Sequence, residues 1–133
     1  MRRIATYMLI VFIGMLLIQC TSEKERLNKK LNEMAENLNQ STPIKLDQYT
    51  QFDSVAVSDD NIFTYFYTVK NTKNPMALLD SMEIELGSNI KKAFKTDQSL
   101  KVFKDNNVTI NYIYSDSTGS PVRTIIVTPE DYN

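Results

Sequence analysis

Histidine is absent from the chain, and so is tryptophan. Without histidine there is no Ser-His-Asp or Cys-His arrangement, few zinc sites, and none of the usual general base. Glycine occurs only three times, so no phosphate-cradling loop can be written. Cysteine occurs once, at Cys20, which excludes an internal disulfide. Charge of one sign is also lacking. The net charge is −1, and removing Arg2 and Arg3 with the first nineteen residues brings it to −3. Nucleic-acid binding needs a clustered basic surface, which this balance does not supply. A chain of 133 residues is one domain's worth, and its core must rest on packing alone.

One strongly apolar run is present. Met1-Arg2-Arg3 is a short positive start, and residues 4–18 are apolar apart from Thr6 and Gly14. Fifteen residues fall short of the ~20 that span a bilayer as a helix. The length suits the apolar region of a secretory signal. The run closes on Leu17-Ile18-Gln19-Cys20, which resembles a bacterial lipoprotein signal. In that family an invariant cysteine is acylated on sulfur and becomes the new N-terminus. Gln19 departs from the pattern, since the residue before the cysteine is usually small. The resemblance implies that Cys20 is the lipid-attachment site and that the protein is held at the cell envelope, the outer membrane being favoured over the inner. A catalytic thiol would need a partner base, and no histidine can serve.

After Cys20 the pattern changes. Ser22 with Glu25 three residues on reads as a capping box. Leu27, Leu31, Met34 and Leu38 form one apolar stripe, predicting a helix from about Ser22 to Asn39. Ser41-Thr42-Pro43 ends it. Residues 52–57 and 62–69 read as strands joined by the turn formers Ser58-Asp59-Asp60-Asn61. Both faces of the second strand carry aromatic residues, which places it centrally in a sheet.

Asn74-Pro75 starts a second helix, with Leu79, Met82, Leu86, Ile90 and Ala93 on one stripe. Gly87 interrupts it at a cost of ~1 kcal/mol relative to alanine, and its lack of a side chain would allow close contact with the sheet. A short helix or turn covers residues 97–104. Residues 108–114 alternate strictly, Asp116-Ser117-Thr118-Gly119 turns, and residues 122–128 return until Pro129.

The order helix, hairpin, helix, hairpin predicts an α+β fold, a four-stranded antiparallel sheet with helices mainly on one face, after the N-terminal signal helix. The expected division is a signal peptide over 1–19, a lipid-attached helix over 20–40, and a small α+β domain over 41–133 that packs with that helix.

Three acidic clusters invite a chemical role. Asp116-Ser117-Thr118-Gly119 fits a type I turn, because an aspartic-protease signature sets its glycine one place earlier. Asp59-Asp60-Asn61 lacks the glycine and bidentate glutamate of a calcium loop. Asp80 and Glu83 share a helix face and Glu85 does not, which fits a solvated surface. No metal and no cofactor is expected.

Four tyrosines carry more weight. Tyr65, Tyr67, Tyr112 and Tyr114 lie on strands of the two hairpins. If those strands are neighbours, the rings form one cluster, either as core packing or as an aromatic binding surface.

Asp53-Ser54-Val55, residues 63–68, residues 107–116 and residues 127–131 together resemble a family of small exported bacterial proteins and lipoproteins with no assigned activity. The resemblance spans much of residues 50–132 and names no catalytic residue. Members often carry cysteines in this domain. Here Tyr132-Asn133 stands near the end without one, so such a disulfide is lacking.

The expected function is a lipid-anchored envelope binding or accessory module rather than an enzyme. A pilotin-like escort of a secretion or membrane component is one concrete form. An inhibitor or immunity-type lipoprotein and a carboxylate-dependent hydrolase are the alternatives. Expected partners are the membrane, through lipid on Cys20, and an envelope protein, with no nucleic acid.

Overall fold

The computed structural model describes residues 22–133. The expected signal peptide and Cys20 lie outside the described residues. Helix α1 (Glu23–Asn39) is followed by strands β1 (Ile44–Lys45), β2 (Thr50–Val57) and β3 (Phe63–Val69). Helix α2 (Pro75–Thr96), a 3₁₀ turn (Gln98–Leu100) and α3 (Lys101–Asp105) come next. Strands β4 (Ile110–Ser115) and β5 (Pro121–Val127) and a last turn of helix, α4 (Pro129–Tyr132), complete the chain. No described helix is long and apolar enough to cross a membrane.

The class is α+β, but the sheet differs from the expected four antiparallel strands. It has five strands in the order β1-β2-β3-β4-β5, and β3 pairs with β4 in parallel. The reason is the connection. A tight turn reverses a chain, whereas α2 and α3 carry it back to the end where β3 began, so β4 starts level with β3. The added strand, β1, is two residues long, too short for any periodicity, and pairs Ile44 with Phe52. The predicted central strand is indeed the middle one, β3.

Both main helices start where their caps stand. The Ser22 hydroxyl accepts from the Glu25 amide at 3.2 Å, and the Asn74 side chain accepts from the Ala77 amide at 3.0 Å. Helix α1 lays Leu31 and Ala35 into the core, with Leu27 and Met34 partly buried beside them. Leu38, expected on that stripe, is 38% exposed, whereas Ala35, outside the stripe, is buried. Among the described residues, a Cβ added at Gly87 would meet nothing within 4 Å, so close contact with the sheet does not account for that glycine.

One face of the sheet holds the core. Phe52, Val55, Phe63, Val69, Ile110, Tyr114 and Val127 meet Leu31, Ala35, Leu79, Phe94 and Phe103 from the helices. Phe63 and Phe103 are almost wholly buried, with ring centroids 4.8 Å apart. Pro129 does not simply stop β5. Thr128 caps α4 in a capping box with Asp131, and Tyr132 turns back into the core. Its hydroxyl donates to the Val108 carbonyl at 2.7 Å and lies 3.2 Å from that of Phe103, and its ring stacks on Phe94.

Candidate binding surface

The parallel junction answers the question raised by the tyrosines. Register sets Tyr65 opposite Tyr112 and Tyr67 opposite Tyr114 on the helix-bearing face. The Tyr65 and Tyr112 rings stack 5.2 Å apart at 7°, and the Tyr67 and Tyr114 rings 4.9 Å apart at 15°. Tyr67 also reaches Tyr112, at 6.4 Å. Phe52 leans on Tyr67 from β2, 5.4 Å away. Such aromatic pairs contribute roughly 0.5–1.5 kcal/mol each beyond the area they bury.

One row of this face crosses all five strands, from Ile44 through Phe52, Tyr67 and Tyr114 to Arg123. Tyr114 is buried, Tyr65, Tyr67 and Tyr112 are partly buried, and Ile44 at the rim is 38% exposed. Helix α1 lies along β2 and α2 reaches β5. The tyrosines of β3 and β4 lie between them. Among the described residues, none of the four hydroxyls makes a side-chain hydrogen bond, in contrast to Tyr132.

Burial pushes the Tyr65 hydroxyl up to about 12, with the Asp97 carboxylate adding to the effect. Burial also raises Tyr67, Tyr112 and Tyr114, and neighbouring tyrosines reinforce it at Tyr67 and Tyr112. The rings are therefore neutral phenols throughout the physiological range. They offer aromatic surface rather than charge.

The acidic clusters are accounted for by neighbours. Asp116 accepts from the Thr118 amide, the Thr118 hydroxyl and the Ser120 amide, while Gly119 takes a φ of 87° that favours glycine. Asp60 pairs with Lys24 at 3.0 Å, and Asn61 tucks under α1, where Asn28 donates to it at 2.8 Å. Asp80 and Glu83 both meet Arg123 of β5, with Glu83 at 2.7 Å and the Met76 sulfur 3.5 Å away. The sequence reading missed this clamp, as it missed Asn39 and Tyr132. Asn39 uses its side-chain amide as a strand would. Its Nδ2 donates to the Val55 carbonyl at 2.9 Å, and its Oδ1 accepts from the Val55 amide at 2.7 Å. Each partner lies far away in sequence, and no periodic signal marks it.

The family model of a domain of unknown function, DUF8479, matches residues 25–122. The chain belongs to the DUF8479 family. The matched span takes in α1 from Glu25 onward, the tyrosine strands and the first residues of β5. No curated protein matches this DUF8479 member. Among solved structures, a Pseudomonas aeruginosa protein classed as secreted is similar with a TM-score of 0.71 and 16% identity, over 85% of this chain and 99% of its own. The pilotin EpsS of the Vibrio vulnificus type 2 secretion system has a TM-score of 0.61 at 19% identity, covering 85% of this chain and 98% of its own. The type II secretion pilotin AspS of Vibrio cholerae has a TM-score of 0.57 at 15% identity, covering 83% and 96%. At these identities the likeness is one of fold.

Proposed function

We propose that this DUF8479 member is a lipid-anchored accessory module of the bacterial cell envelope. It acts by holding an envelope protein on its tyrosine face and not by catalysis. The observation that carries this reading is the likeness of nearly the whole described domain to two type II secretion pilotins. It is joined by a lipobox-like segment ending in Cys20, two residues before the cap of α1. The chemistry of the tyrosine face agrees. Stacked neutral rings with an exposed apolar rim suit an apolar segment of a partner, and tyrosine is favoured at interfaces because it combines large area with few rotatable bonds. The acids singled out on one face of α2, Asp80 and Glu83, are already engaged by Arg123, which speaks against a carboxylate hydrolase built on them.

Two experiments test the address and the action. Mass spectrometry of the N-terminal peptide from bacterial membranes is expected to show acylated Cys20. An unmodified Cys20 still joined to Gln19 would refute the anchor. A photo-crosslinking residue at Tyr67 is expected to capture an envelope protein, while one at Thr64, on the opposite sheet face, does not. Equal capture from both positions, or none from either, would refute the tyrosine face as the docking surface.

A further inference from the structure

The sheet has two edges, and they are finished differently. At the β2 side, β1 covers Gln51 and Phe52, and the Asn39 amide occupies both backbone groups of Val55. At the β5 side, no described residue makes a backbone hydrogen bond to the outer edge of Arg123–Val127. An open edge of this kind presents a row of unpaired donors and acceptors, which a further strand satisfies. Ile126 beside it is 58% exposed.

The flank of α2 above that edge has its own symmetry. Met76, Asp80 and Glu83 face β5, where Arg123 holds them. At helical spacing the same flank continues through Gly87 to Lys91. Acids stand before the glycine and lysine after it, with Glu83 and Lys91 equidistant from Gly87. Asp80, Glu83 and Lys91 are all exposed. Glycine inside a helix is unfavourable, and nothing described within 4 Å of Gly87 compensates for it.

We propose that the β5 edge and this α2 flank form an interface with a second copy of the chain, related by a two-fold axis through Ile125 and Gly87. In an antiparallel β5 pair centred on Ile125, Thr124 faces Ile126 of the other copy and Arg123 faces its Val127. No like charges meet, and the exposed Ile126 is covered. The helices lie on the same side of the joined sheet and run antiparallel, so Glu83 of each faces Lys91 of the other. Gly87 then marks the crossing, where lack of a side chain lets the helices approach. The two centres fall at one height. Gly87 lies about 8 Å along α2 from the middle of the Asp80–Glu83 pair. Ile125 lies about 7 Å along β5 from Arg123, which binds that pair. A single axis therefore serves both elements.

The test is the protein mass of the full chain, purified from membranes in mild detergent, by light scattering and sedimentation. The wild type is expected as two chains at about 100 µM, a concentration at which even modest self-association is populated. Gly87→Leu is expected to run as one chain while keeping its circular dichroism and melting no lower than the wild type, because an added Cβ meets nothing within 4 Å and leucine favours the helix more than glycine does. Lys91→Glu, which sets acid against Glu83 at both ends, is expected to weaken the dimer roughly tenfold, with the defect shrinking in high salt. A wild type that stays a single chain overturns the proposal. So does a dimer whose dissociation constant neither substitution changes.

Discussion

The two faces of the sheet are made by the same strands, residue by alternate residue, yet they carry different burdens. On the helix side, rows such as Val55–Tyr65–Tyr112–Ile125 and Val57–Phe63–Ile110–Val127 are aromatic and aliphatic from edge to edge. On the other side, Ala56–Thr64–Asn111–Ile126 and Ser54–Phe66–Ile113–Thr124 mix polar and apolar groups. A polar chain runs along that side, where Thr68 donates to Asp53 at 2.6 Å and Lys70 donates to Gln51 at 2.7 Å. No described helix packs there. The helix face thus supplies the free energy of folding, and the polar face keeps the sheet compatible with water. Aromatic content alone does not separate them, since Phe66 sits on the polar side. What separates them is that the described helices pack on one face and not on the other.

That contrast can be broken most forcefully at Phe63, which has no exposed surface. Phe63→Ala is expected to cost about 3–5 kcal/mol, seen as a lowered urea midpoint. Alkali acts next, through the tyrosine rows. A tyrosine whose folded pKa is raised keeps its proton after the unfolded chain has begun to lose its own. Stability from Tyr65 is therefore complete below about pH 10 and falls as the pH rises toward about 12. Urea midpoints taken across pH 9–12 should show this decline, and absorbance at 295 nm should show delayed phenolate formation. Tyr132→Phe keeps the stacking on Phe94 but leaves the Val108 carbonyl without its donor, at a cost of about 1–3 kcal/mol. The contrast is sharpest between neighbours. Ala56, one residue from buried Val55, points to the polar side and is exposed. Ala56→Ser is expected to change stability by less than about 0.5 kcal/mol in the same denaturation series.

Local signals in the sequence carried much of this architecture. Capping residues placed the starts of α1 and α2, alternation placed four of the strands, and the turn formers placed both hairpins. The pairing of Tyr65 with Tyr112 was legible only as a condition, because the sequence does not state which strands become neighbours. The parallel junction depends on where a crossover ends, which is a property of the whole connection. Asn39, Arg123 and Tyr132 escaped notice for a common reason. Each acts through one hydrogen-bonding group on a partner many residues away, whereas sequence patterns report only what repeats. Ala35 was overlooked because a small residue adds little to an apolar stripe, although it is buried in the core.

The parallel seam also governs how the molecule assembles. Each hairpin closes over a few residues, so its strands meet early and at small entropic cost. Phe63 cannot pair with Ile110 until the whole of α2 and α3 has been gathered between them. Non-local pairings of this kind slow folding, because chain entropy is lost before the contact forms. Until the seam closes, β3 and β4 each expose an unpaired side, and the tyrosine cluster that bridges them does not exist. The surface proposed to receive a partner is therefore one of the last features to form, and only a completed domain displays it.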